Sequence, residues 1–304
     1  MKRLLKLTVI SCIVLCIIGT VSFFAVGNGI CSFALSRRTD SAYTEEELSR
    51  WIAINGKDLY ISSEDGLRLH GHMIENSNNS KRYAIVCHGY SGNATTMSAY
   101  AKKLYSMGFS VLCPNARNHS LSQGDITGMG YSERRDIVLW INEILKREPR
   151  AEILLFGVSM GGATVLFTSG EADLPPNVKA VVSDCAFTSV YEQVGSVIKL
   201  YAPFLPDFPI VDSASVVCEL KGGYSFRDAS CVEAVKKSRT PTLFIHGSAD
   251  TYVPFYMLDI LYSNAACPKE KLVIENAGHA ASKNTDPYLY WETVENFISK
   301  NFNI

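Results

Sequence analysis

The chain has 304 residues, 47% of them hydrophobic and 19% charged, enough apolar material to fill one sizeable core. Its 29 Lys and Arg against 30 Asp and Glu leave a formal charge of −1, so no basic excess points to nucleic acid as a partner. No Cys/His spacing suggests a metal site, and no cofactor is expected.

Residues 1–35 differ in character from the rest. Lys2, Arg3 and Lys6 make a basic start, and Leu7 to Val26 carries no charge over 20 residues, a length that crosses a bilayer as a helix. An uncleaved signal anchor is the favoured reading, which keeps the three basic residues cytoplasmic and the remainder outside. Arg37 and Arg38 on the far side argue against that orientation. The rival is a secretory signal peptide cut near Ser32-Phe33-Ala34, giving a secreted protein. Beyond residue 35 the chain has 26 basic and 30 acidic residues, a formal charge of −4. It also has six cysteines without small-domain spacing, so Cys87 and Cys113 read as buried thiols, and Cys218 with Cys231 is the pair to test as a staple.

The chain from 36 to 304 reads as one domain. Arg37–Ala42 is a polar tether, and Thr44 to Glu47 fits a capping box that opens a helix to about Ile54. Leu59–Ser62 and Leu67–Ile74 flank the turn Glu64-Asp65-Gly66 as a hairpin. Tyr83–Cys87 is an apolar strand. Residues 95–107 form a helix with Met97, Tyr100, Ala101 and Leu104 on one face, stopped by Gly108. Strand Ser110–Cys113 and helix Tyr131–Lys146 follow, the latter burying Ile137, Trp140, Ile141 and Ile144.

Ile153 to Val158 is an apolar run that ends in Gly157-Val158-Ser159-Met160-Gly161 and then enters a helix near Met160–Thr168. This order of strand, sharp turn and helix is what a nucleophile elbow requires: the serine hydroxyl projects above the sheet and the glycines let the backbone pack. With the strand Val178–Ser183 the segment makes a central βαβ pattern and implies a parallel sheet. About 187–238 the alternation lapses in a span rich in aromatics and prolines, read as a lid insertion. Thr242–His246 and Lys271–Ile274 are further strands, and helices near Tyr256–Ala265 and Pro287–Asn301 close the fold.

Asp250 and His279 each follow the C-terminal end of one of these strands, the edge where open α/β sheets place their sites. Ser159 as nucleophile needs a base, for which His279 is the candidate; Asp250 would fix its tautomer. Asp184, also just past a strand, is the rival acid. The backbone N–H groups of Tyr90 and Met160 are the candidate oxyanion donors, and His88, Arg117 and His119 read as scaffold. The sequons at Asn78, Asn93 and Asn118 are given no role.

The Ser159, Asp250, His279 order, the Gly157–Gly161 elbow and the His88-Gly89-Tyr90 strand end together resemble the α/β-hydrolase superfamily over roughly residues 55 to 304. Ser183-Asp-Cys-Ala-Phe-Thr-Ser189 and Gly128-Met-Gly130 are similar to bacterial membrane-anchored members related to serine aminopeptidase and monoacylglycerol-lipase-like enzymes. Arg117–Gly124 resembles a loop of many relatives, with Ser120 in place of a glycine, which strains that loop if the backbone there keeps φ > 0. The resemblance implies a mostly parallel sheet flanked by helices with a small lid. It also implies a serine hydrolase that acts on a small ester or peptide-like substrate, with carboxylic-ester cleavage favoured by the aromatic lid. Aminopeptidase-like and thioester hydrolysis are the enzymatic alternatives, and a catalytically inactive binding module on the same fold is the other class.

Overall fold

The apolar runs assemble into an eight-stranded sheet in the order β1-β2-β4-β3-β5-β6-β7-β8, in a computed structural model that describes residues 2–36, 46–78 and 81–302. The strands are β1 (Lys57–Ser62), β2 (Arg68–Ile74), β3 (Arg82–Cys87), β4 (Ser110–Pro114), β5 (Glu152–Val158), β6 (Val178–Asp184), β7 (Thr242–Gly247) and β8 (Lys269–Ile274). β1 and β2 form the expected hairpin and β2 runs antiparallel to β4; every other pairing is parallel. Parallel strands need crossovers, and the helices supply them on both faces.

Two cores follow from the period of two along each strand. Ile153 and Leu155 of β5 pack into one, with Trp140, Ile141 and Phe167. Leu154 and Phe156 face the other, with Tyr100, Leu104, Tyr290 and Phe297. The helices are α1 (Lys2–Leu35), α2 (Glu46–Asn55), α3 (Ser98–Ser106), α4 (Glu133–Arg147), α5 (Met160–Ser169), α6 (Val190–Tyr201), α7 (Asp207–Gly222), α8 (Cys231–Lys237), α9 (Tyr256–Asn264), α10 (Ser282–Thr285) and α11 (Pro287–Phe302). The expected single helix over 95–107 is a 3-10 turn, Ala94–Met97, followed by α3; Asn93 caps that turn by accepting from the backbone N–H groups of Thr95 and Thr96. The expected tether lies outside the described residues, as do Thr44 and the side chain of Glu47, and with them the expected capping box.

The lid span contains three helices. α6 and α7 stand over the C-terminal edge of the sheet, whereas α8 packs against α5 and α9 and so belongs to the flanking layer. Cys218 and Cys231 do not pair. The Cys218 thiol hydrogen-bonds Cys31 of α1, while Cys231 Sγ faces the Ala163 carbonyl at 3.9 Å. All nine cysteines are free thiols, and Cys87 and Cys113 are buried. α1 extends past the expected apolar stretch to Leu35 without a break, so Ser32, Phe33 and Ala34 are helical. Ser11–Leu35 is long and apolar enough to cross a membrane, with mean hydropathy 2.1.

Candidate active site

β5 delivers Ser159 at φ 58° and ψ −119°, a backbone conformation that side chains other than glycine rarely adopt. The turn closes only because its neighbours lack side chains: a Cβ on Gly157 would overlap the Gly161 carbonyl, and one on Gly161 the Cys87 carbonyl. The reward is placement. Ser159 Oγ lies 2.8 Å from His279 Nε2, and His279 Nδ1 lies 2.8 Å from Asp250 Oδ2. The three candidate residues, drawn from loops after β5, β7 and β8, therefore form one hydrogen-bonded chain.

Asp250 is buried, and its other oxygen accepts from the backbone N–H groups of Tyr252 and Val253 at 3.0 and 2.9 Å. Burial pushes this carboxyl up. The hydrogen bonds from His246 and His279 outweigh that and hold it down to about 2, so it is ionised at neutral pH. His246 is the member that sequence reasoning missed: its Nε2 lies 3.2 Å from Asp250 Oδ2 and 3.0 Å from the Val253 carbonyl. The available signal was a histidine at the end of β7, four residues before the acid. Asp184 is not the partner of His279. It is fully buried, accepts from Tyr290 Oη at 3.0 Å, and burial raises it to about 6.

The His88-Gly89-Tyr90 loop lies against Ser159, since a Cβ on Gly89 would stand 3.5 Å from Ser159 Cβ. Met160 opens α5, so its N–H belongs to the set of helix N-terminal donors without an intrahelical acceptor. His88 orders the loop: Nδ1 donates to the Gly89 carbonyl at 2.7 Å, and Nε2 accepts from Ala116 N–H at 3.0 Å. Burial, with His119 alongside, pushes His88 down to about 3, so it is neutral. His119 scaffolds the same loop: its Nε2 lies 2.6 Å from the carbonyl of Tyr90. Arg117 pairs with Asp136 and Asp65. Ser120 does keep the positive φ, at 47°, so the loop carries the anticipated strain. The sequon residue Asn118 is buried.

Above Ser159 is a cavity of about 420 Å³, walled by α6, by the start of α7 and by the last turns of α1. Its described lining residues include no Asp, Glu, Lys or Arg; Met129, Phe187, Val194, Ile198 and Tyr252 typify it. Two clusters among the described residues have metal-like spacing. One, Cys185 with Asp250 and His279, draws two of its three members from the hydrogen-bonded chain, where His279 and Asp250 are already paired. In the other, His70 Nδ1 accepts from Asn115 and Nε2 donates to Asp58, which commits both ring nitrogens to the protein.

This sheet order, with a strained serine after the fifth strand and an acid and histidine after the seventh and eighth, defines a class: the chain has the α/β-hydrolase fold. Within it, residues 78–216 match the family described as Serine aminopeptidase, S33. The Bacillus subtilis protein YqkD is 28% identical over 269 residues, covering 84% of this chain and 87% of that one. A Saccharomyces cerevisiae protein described as an uncharacterized membrane protein is 23% identical, covering 79% of this chain and 78% of its own. Among solved structures, the Pyrococcus furiosus esterase Pf2001 superposes with a TM-score of 0.68 at 22% identity, covering 87% of this chain and 98% of the esterase, which shows the shared fold.

Proposed function

We propose that the protein is a serine hydrolase that cleaves carboxylic esters with an apolar acyl group, through Ser159, His279 and Asp250. The carrying observation is the unbroken 2.8 Å and 2.8 Å path from Ser159 Oγ through the imidazole to Asp250, set beneath an uncharged cavity. His279 Nε2 takes the hydroxyl proton as Ser159 Oγ attacks the carbonyl carbon, and ionised Asp250 holds Nδ1–H and stabilises the imidazolium. The N–H groups of Met160 and Tyr90 receive the oxyanion; each such donor is worth about 2.7–4 kcal/mol of transition-state stabilisation. His279 then protonates the leaving alcohol. Water, activated by the same imidazole, hydrolyses the acyl-enzyme.

The residues 36–304 form the catalytic unit in this reading, with α6 and α7 as the lid and residues 1–35 as an uncleaved anchor that places catalysis outside the cytoplasm. Continuous α1 across Ser32–Ala34, with Cys31 and Leu35 buried against the domain, supports the anchor over a cleaved signal peptide. A peptidase that binds a free N-terminal amine would want a carboxylate beside the cavity, and the described lining has none. That favours esters over the aminopeptidase alternative; thioesters fit the same site.

Fluorophosphonate labelling of wild type, lost in Ser159→Ala, tests the enzyme against the binding-module alternative: unlabelled folded wild type would end the catalytic reading. A panel of p-nitrophenyl esters against aminoacyl anilides tests the substrate class, and faster anilide turnover would overturn ester specificity.

A further inference from the structure

The anchor helix does not merely lead to the domain; its last turns are built into it. The Leu35 carbonyl, one of the helix's C-terminal acceptors, takes Thr127 N–H at 3.0 Å and Asn118 Nδ2 at 3.3 Å. Tyr90 Oη donates to the Phe33 carbonyl at 3.2 Å, so the residue proposed as an oxyanion donor also holds α1. Gly27 lies so close to α7 that a Cβ there would overlap the Ser213 carbonyl. Cys31 meets Cys218 one turn further along both helices.

Gly29, Ile30, Phe33 and Ala34 form the wall of the cavity that faces α6, with Ser159 at its base. Gly29 is a lining residue of the cavity, and a Cβ there meets nothing within 4 Å. The contacts Gly27–Ser213 and Cys31–Cys218 run in the same direction, so the start of α7 lies back along α1 towards its apolar stretch. There the α6–α7 corner exposes Tyr201, Phe204 and Phe208 at 76%, 82% and 73%, beside a helix that exposes Ile17, Val21 and Phe24. Exposed aromatics at the end of an apolar span suit a bilayer interface.

We propose that the C-terminal turns of α1 are the acyl-binding wall of this enzyme, and that the acyl chain of a bilayer-resident ester enters between α1 and the α6–α7 corner. The proposal rests on the esterase reading, and one set of experiments separates the two. Full-length protein in phosphatidylcholine vesicles is assayed on p-nitrophenyl esters from acetate to dodecanoate. Gly29→Phe puts a ring into the cavity without touching the domain backbone, and the ratio of dodecanoate to acetate turnover should fall about tenfold or more, the scale of losing room for a few methylenes. Gly27→Leu, which pushes α1 off α7, should lower the same ratio. At fixed ester, added phospholipid should slow wild-type dodecanoate turnover by surface dilution. An unchanged ratio in both variants, or a rate that ignores added phospholipid, overturns the proposal. Wild type that neither labels with fluorophosphonate nor turns over any ester overturns the esterase reading instead.

Discussion

Asp250 Oδ2 is shared by two imidazoles, with His246 Nε2 at 3.2 Å and His279 Nδ1 at 2.8 Å. The carboxylate is thus pinned from a buried side by a residue that is not part of the cavity lining. His246 also reaches the Val253 carbonyl, and Val253 N–H donates back to Asp250, so the acid's loop is closed on itself.

This makes His246 a positioning residue. His246→Ala should lower kcat/KM on a short ester about tenfold to a hundredfold, the cost of a misplaced catalytic group. It also removes a contact that lowers the Asp250 pKa. The carboxyl should then protonate at higher pH, and activity on the acid side should fail earlier than in wild type. His246→Gln, which keeps an N–H donor, should recover much of both. A pH–rate profile in which the alanine variant keeps the wild-type acid limb would refute the role.

The two acids can be told apart by substitution. Asp250→Asn should cost on the order of 10⁴ in kcat, as loss of the tautomer-fixing acid does elsewhere. Asp184→Asn should leave kcat within about threefold, far below that loss.

Asp184 also carries a pH signature in stability. Burial raises it to about 6 in the folded state against 3.8 as the ordinary value, so the unfolded chain ionises first as pH rises. Below pH 4 the group costs nothing; between about 4 and 6 stability falls, and above 6 the loss is complete. Asp184→Asn should therefore gain on wild type between pH 4 and pH 8 by on the order of 2 kcal/mol, read from urea midpoints at the two pH values. An equal difference at both would contradict the assignment.

The elbow glycines should tolerate nothing larger. Gly157→Ala drives a methyl into the Gly161 carbonyl, and a loss of about 3 kcal/mol or failure to fold is expected. Gly278→Ala, next to His279 but with nothing within 4 Å of its Cβ, should change stability by no more than about 0.5 kcal/mol. Thermal melts of the pair decide this.

Much was legible in the sequence because it depends on near neighbours. The periods of two and 3.6 set the strands and the buried faces of α3 and α4, and the Gly157–Gly161 spacing marked the elbow, since backbone sterics act within a few residues. The strain at Ser120 was foreseen only conditionally, from the resemblance to a loop with glycine at that place, and the positive φ of 47° meets the condition. Other features depend on residues far apart in the chain. Asp184 and Asp250 both follow strand ends, and only the adjacency of β7 and β8 brings Asp250, not Asp184, to His279. His246 looked like the last residue of a strand until the loop after it folded back. The apolar N-terminal helix, readable as a span from composition, acquires its place beside Ser159 through contacts with Tyr90, Thr127 and Ser213, up to 186 positions away. Length and hydropathy specify a helix apolar enough to cross a membrane; which surface its last turns cover is decided by packing, where one missing Cβ at Gly27 lets two backbones meet.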